Sequence, residues 1–283
     1  PTLGNLKVDE INIDHIRKAL LPIWATKKET ARRVRGRIES VLDVAIVRGL
    51  RERYNPAVWR GNLEKLLPKL LHKKTIEHQP ALGVEDILKW WSDLKERHGN
   101  GAEALKFMSL TLARSGEVRG MPWDEVEFLD AEKAEAYGCK AIWTIPAERM
   151  KAGQEHSVPL QNSAVEILNK LNELKKYKLV FPSSRGTQLS DMTLSALMKR
   201  IHEAGLKHGK GYLGFKSKRP AVPHGLRSTF RNWASENGYS DLAAEIQLAH
   251  TVGNEVIKAY HRTDLFRLRA TMMEDWSKYL ESN

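Results

Sequence analysis

The 283-residue chain holds a single cysteine, Cys139. One thiol cannot close an internal disulfide, so no cross-linked scaffold supports the fold, and this usage fits a reducing compartment. Long apolar runs are missing as well: none approaches the roughly 18 residues that a membrane-spanning helix needs. No secretory signal pattern stands at the front, although the chain begins at Pro1 rather than Met and reads as a fragment. Repeats and low-complexity tracts are absent. What is there is an ordinary globular balance, 41% apolar and 29% charged, which excludes disorder as the dominant state. The length suits about two domains.

Acidic residues are scarce at the front. Residues 1–74 carry 17 Lys/Arg against 8 Asp/Glu, whereas the remaining 209 carry 29 against 27. Most of the net charge of +11 therefore sits in the first quarter of the chain. Such asymmetry speaks of partners rather than fold, and nucleic acid is the commonest polyanion. A solvated basic surface explains the charge equally well.

Periodicity predicts a helix over 11–24, then a second one capped by Thr30 and stopped by Gly49. In the second helix Val34, Ile38, Val41, Leu42, Ala45 and Ile46 recur at three- and four-residue steps, as in a buried stripe. Lys27, Lys28, Arg32, Arg33, Arg35 and Arg37 crowd its start. Cations there oppose the helix dipole, a cost that a nearby phosphate would offset. A shorter helix is expected over 55–70, and the polar HKKTIEHQP, residues 72–80, suits a linker. The expected domains are 1–74, all-helical, and 75–283. The second opens with helices over 83–97 and 101–113. Three strand-like runs follow, Val126–Phe128, Ala141–Ile145 and Ser157–Leu160. Helices are then expected over 162–175, 190–204, 226–237, 240–248 and 254–280, with a mobile basic loop at 207–220. The fold class is mainly α with a small antiparallel sheet. The apolar positions of 265–280 suit packing on the same domain or on a neighbour equally.

Several polar residues stand out. Arg114 ends an apolar helix, where a charge is costly unless paired, and Glu117 is a natural partner three residues on. Taken alone, the two make an ordinary ion pair. His224 and Arg227 are three apart and share one helix face near its N-terminus, an arrangement that suits a phosphate, although HxxR is a common pattern. His250 follows an apolar stretch, as satisfied core histidines do, and Tyr260, ten residues on, is unremarked as a buried tyrosine. Lys151 occupies a hairpin turn, where lysines are mostly solvated.

Their joint order changes the reading. The segments ARSGEVRGMPW, AERMKAGQEHSVPL, PHGLRSTFRNWASENG, LAHTVGN and AYHRTD resemble the tyrosine recombinase family, the phage-type integrases of prophages and genomic islands. TKKETARRVRGRIESVLDVAIVRGL is similar to that family's helical core-site-binding domain. The resemblance covers nearly the whole chain, apart from an N-terminal arm-binding domain that such integrases usually carry. It implies that Arg114, Lys151, His224, Arg227 and His250 assist the nucleophile Tyr260. Arg119 competes with Arg114, and Glu117 at i+3 favours Arg114.

The chemistry suits those residue types. Attack on a phosphodiester adds charge to the non-bridging oxygens. With no acidic cluster suggesting a metal site, fixed cations must meet it, and Arg114 and Arg227 are the candidates. Tyr260, whose free pKa is about 10, needs a base, and His224 is the expected acceptor. Lys151 is the expected general acid for the departing 5′ oxygen, His250 a donor to a non-bridging oxygen, and Glu117 the residue that orients Arg114. No metal or other cofactor is expected. The resemblance further implies duplex attachment sites as substrate, a homotetramer on DNA passing through a Holliday junction, accessory proteins that bend DNA or set direction, no membrane association, and a bacterial cytoplasmic location. Lys27, Lys28, Arg32, Arg33, Arg35 and Arg37 are the expected DNA contacts. The rivals are a DNA-binding protein without catalysis, a DNA-relaxing type IB topoisomerase, and a metal-dependent hydrolase built from His202, His208, His224, His250 and His261, which has no HxxxH pair behind it.

Overall fold

The computed structural model of the chain describes residues 2–68, 79–173, 176–250 and 265–282. The chain divides into two compact units, Pro1–Ile76 and Glu77–Asn283. Of the stretch expected as a linker, only Gln79 and Pro80 are among the described residues.

In the first unit α1 spans Ile13–Trp24. Asn12 caps it: its side chain accepts from the His15 amide at 3.0 Å, and its own amide donates to His15 Nδ1 at 3.3 Å. Ile16, Leu20 and Trp24, four residues apart, form the buried edge. Helix α2 spans Lys28–Val47. It starts ahead of the expected Thr30 cap, because the Ala31 amide already closes a turn on the Lys27 carbonyl at 2.9 Å. Its buried positions are Ala31, Leu42 and Ala45, with Val34 and Ile38 packed alongside. Val41 and Ile46, expected in the same stripe, lie a position to one side, and Val41 is 61% exposed. Gly49 ends the helix at φ +67°, a left-handed conformation that glycine adopts without strain. The helix expected over 55–70 does not form. Pro56, Gly61 at φ +72° and Pro68 leave only a 3₁₀ turn, Leu63–Lys65. Leu63 and Leu67 still join the core, where Trp24 stacks on Trp59.

The second unit begins with α3 (Asp86–Lys95), α4 (Asn100–Thr111) and the short α5 (Ser115–Arg119). Strands β1 (Val126–Phe128), β2 (Ala141–Ile145) and β3 (His156–Leu160) form an antiparallel sheet in the order β1-β2-β3. Val126 lies opposite Trp143, and Ile145 opposite His156. An unanticipated helix, α6 (Ala131–Tyr137), joins β1 to β2. Then come α7 (Asn162–Glu173), α8 (Thr193–Lys207), α9 (Gly225–Glu236), α10 (Asp241–Gln247) and α11 (Phe266–Glu281). The unit is therefore mainly helical with one small sheet. Residues 254–264 of the last expected helix lie outside the described residues. Met272, Trp276 and Leu280 of α11 are buried in the core of their own unit, where Trp276 meets Phe230 and Trp233 edge-on.

The basic loop expected to be mobile is anchored. Tyr212 is buried, its hydroxyl donates to Asp93 at 2.5 Å, and Leu213 bridges Pro220. Among the described residues no helix is long and apolar enough to cross a membrane.

Candidate active site

Three ends of secondary structure build the site. Helix α4 stops where Leu112 turns to φ +60°, which sets Arg114 at the entrance of α5. Helix α9 starts after His224, and α10 ends just before Leu248, Ala249 and His250. Helix C-termini expose carbonyls without intrahelical partners and carry the negative end of the dipole, so they suit cations.

Arginines take those carbonyls. Arg227 is 3% exposed. Its Nη1 donates to the Leu112 carbonyl at the end of α4, and its Nη2 to the Leu248 carbonyl at the end of α10. Arg114 donates from Nη2 to the next carbonyl, Ala249, at 2.9 Å. Glu117 fixes Arg114 twice: one carboxylate oxygen accepts from its backbone amide at 2.6 Å, the other from Nη1 at 2.8 Å. Arg119 instead sends Nη1 to the Leu189 carbonyl at 2.6 Å. Of the two competing arginines, Arg114 is the one that meets Arg227 around the end of α10. Desolvation, then the neighbouring Arg114 charge, lower the Arg227 pKa to about 10, so it stays charged at neutral pH. Among the described residues its buried Nε has no hydrogen-bond partner.

Two histidines complete this group. His250 Nε2 lies 3.1 Å from Arg227 Nη2, and its Nδ1 lies 2.6 Å from Glu245. Arg231 Nε holds the other oxygen of Glu245 at 2.7 Å. Burial disfavours the Glu245 carboxylate, but the hydrogen bonds from Arg231 and His250 outweigh it and lower the pKa. His224 stands at the solvent-exposed rim, one residue before α9. Partial desolvation of its ring, then repulsion from Arg227, Arg114, His250 and Lys151, lower its pKa below the ordinary 6.5. It is thus neutral near pH 7 and able to accept a proton.

Lys151 is exposed in the turn between β2 and β3, near enough for its charge to bear on His224. Arg114, Glu117, Lys151, His224, Arg227 and His250 therefore share one region. Tyr260 lies outside the described residues.

Other residues around this group escaped sequence reasoning. Arg149 reaches from the hairpin to the Glu117 carbonyl at 2.6 Å. Arg269, fully buried on α11, donates to the Ser157 carbonyl at 2.8 Å and to Gln247 Oε1 at 3.3 Å. His156 opens β3 with its ring against the Gln247 backbone. Desolvation, then the charges of Arg269, Arg114 and Arg227, lower its pKa to about 3, which keeps it neutral. Arg269 did leave a signal: it lies in phase with the apolar positions Leu265, Met272 and Trp276, where only a paired charge is tolerated. Arg149, beside Glu148 in a polar run, left none.

The basic residues of α2 differ among themselves. Lys27, Lys28, Arg32 and Arg37 are exposed, and Arg33 pairs in solvent with Glu29 at 3.1 Å. Arg35 is committed to its own unit, with Nη1 bonded to Glu39 at 2.7 Å and to the Ala57 carbonyl at 2.8 Å. Among the described residues no group of three or more His, Cys, Asp or Glu gathers as metal ligands would.

A family model for the phage integrase family matches residues 84–265, a span that contains Arg114, Glu117, Lys151, His224, Arg227 and His250. The chain belongs to the phage integrase family. A second model, the phage integrase central domain, matches residues 1–62. Among relatives, prophage integrase IntA of Escherichia coli K12 is 28% identical and the integrase of Enterobacteria phage P4 is 27% identical, each over all of this chain. The chain spans 62% of the length of either relative. The fold is shared with lambda integrase (residues 75–356), crystallised as a dimer bound to a COC′ core site. The TM-score is 0.59 at 20% identity, over 89% of this chain and 83% of that one. The integrase of transposon Tn1549, in complex with circular intermediate DNA, gives 0.52 at 14% identity, over 95% and 87%.

Proposed function

We propose that this chain is the core of a site-specific tyrosine recombinase that cuts and rejoins duplex DNA through a 3′-phosphotyrosine intermediate. The observation that carries the reading is the meeting of Arg114, Arg227 and His250 at the end of α10, with His224 near enough to feel their charges, in a member of the phage integrase family. Such a nest of fixed donors suits a phosphodiester whose non-bridging oxygens gain charge during attack.

In this mechanism the Tyr260 hydroxyl oxygen attacks phosphorus while its proton passes to neutral His224. The bond from phosphorus to the 5′ oxygen breaks, and that oxygen takes a proton from the Lys151 ammonium. The products are a phosphotyrosine ester and a free 5′ hydroxyl, so the phosphoester energy is kept and no nucleotide is consumed. A 5′ hydroxyl from a partner duplex reverses the steps and joins new strands. Arg114 and Arg227 hold the non-bridging oxygens, His250 donates to one of them from Nε2 in exchange for the contact that this nitrogen makes with Arg227 in the free protein, and Glu117 orients Arg114.

Residues 1–74 act as the core-site-binding domain and 75–283 as the catalytic domain. The exposed basic residues of α2, Lys27, Lys28, Arg32, Arg33 and Arg37, contact phosphate. Four protomers exchange strands in turn through a Holliday junction, with accessory proteins setting direction, in the bacterial cytoplasm.

The test uses a nicked suicide duplex carrying the end junction of the element that encodes the chain. The expected result is an SDS-resistant protein–DNA adduct with the native chain and none with Tyr260→Phe, whose DNA binding is unchanged. An adduct that persists in Tyr260→Phe would overturn the assignment of the nucleophile.

A further inference from the structure

A general acid on a turn works only if its ammonium is held within reach of one oxygen. Lys151 is exposed, and the turn around it, Lys151–Gln154, is exposed throughout. The hairpin must be fixed from elsewhere, and Arg149 is the side chain placed to do it. It closes the 3₁₀ turn Ala147–Arg149, two residues before Lys151. Its Nη2 donates to the Glu117 carbonyl at 2.6 Å, and its Nη1 pairs with the Glu125 carboxylate. That carboxylate also accepts from Trp143 Nε1 of β2 at 2.9 Å.

Glu117 is thus shared. Its carboxylate holds Arg114, and its carbonyl holds Arg149. We propose that Arg149 is a positioning residue that, through Glu117, sets the Lys151 turn in register with Arg114. The far leg of the hairpin is tied down separately, by Arg269 on the Ser157 carbonyl at 2.8 Å. Arg149 acts nearer the lysine and is a quarter exposed, 24% of its side chain, so its loss is tolerated better than that of a buried charge. The inference rests on Lys151 being the proton donor, and the experiment separates the two claims.

Single-turnover adduct formation is measured on two nicked duplexes. One has the ordinary 5′ oxygen at the scissile phosphate and the other a bridging sulfur, which leaves as a thiolate and needs no proton. Arg149→Met, Arg149→Lys and Lys151→Ala are compared with the native chain, with affinity and thermal midpoint recorded for each. Arg149→Met is expected to lose about 10²-fold in rate on the oxygen duplex, the lower end of a general-acid contribution, and to recover to near the native rate on the sulfur duplex. Arg149→Lys, which keeps the charge, is expected to lie between. If Arg149→Met proves unstable, Glu125→Gln, which removes only the ion pair, carries the test with a smaller loss and the same recovery. A native-like rate on oxygen, or a loss on both duplexes while Lys151→Ala recovers on sulfur, overturns the positioning role. No recovery of Lys151→Ala on sulfur overturns the proton-donor reading instead.

Discussion

On α2 the side chains of Arg32 and Arg37 stand in water, whereas Arg227 and Arg269 of the second unit are as buried as its leucines. The same residue type is under different physics in the two units. An exposed guanidinium is screened within about 8–10 Å and contributes little to stability, yet it attracts a polyanion from solution. A buried one is costly to desolvate, and it persists only where acceptors are already in place. The helix-end carbonyls of Leu112, Leu248 and Ala249 are such acceptors. The contrast teaches that one unit is built for adjustable attraction and the other for charge that does not reorganise during reaction.

The sharpest way to break that contrast is to remove a buried charge. Arg227→Ala is expected to slow suicide-duplex cleavage by about 10²–10³ while duplex affinity by filter binding stays within about threefold. An affinity loss as large as the rate loss would put Arg227 with the binding residues. Next comes pH. The rate is expected to fall as pH drops through the lowered pKa of His224, because the protonated ring cannot accept the tyrosyl proton. The acid limb should therefore lie below 6.5, the ordinary histidine value. Arg114→Ala, which removes one repulsion, should move the limb upward. A native limb above 6.5 would contradict this. Removing exposed charge should act differently. Arg32→Ala and Arg37→Ala are each expected to flatten the dependence of log affinity on log salt by about 0.9 and to leave the rate at saturating DNA unchanged. The smallest effect is expected within α2 itself. Arg35→Ala should lower the free energy of urea unfolding by roughly 1 kcal/mol, for the lost Glu39 and Ala57 bonds, with no change in salt slope.

Much of this was legible in the sequence. The β2 run alternates with Ala141, Trp143 and Ile145 inward, and its pattern and length fix a strand. Arg114 with Glu117, and His224 with Arg227, announce themselves by helical spacing. The failures have physical causes as well. Leucines at 63, 66, 67 and 70 mimic a helix, but Pro56, Gly61 and Pro68 prevent it. The wiring of Arg149, Arg269 and Glu245 depends on partners as much as 112 residues away. Local pattern carries no trace of those contacts, and a paired internal charge looks in sequence like a surface one.

The central claim is that fixed guanidinium charge answers charge developing on the scissile phosphate. The most direct measurement replaces that phosphate with a neutral methylphosphonate and compares the native chain with Arg114→Ala in single-turnover cleavage. On the ordinary duplex Arg114→Ala should be slower by about 10²–10³, and on the methylphosphonate the gap should shrink below about tenfold. An undiminished gap on the neutral substrate would contradict the account.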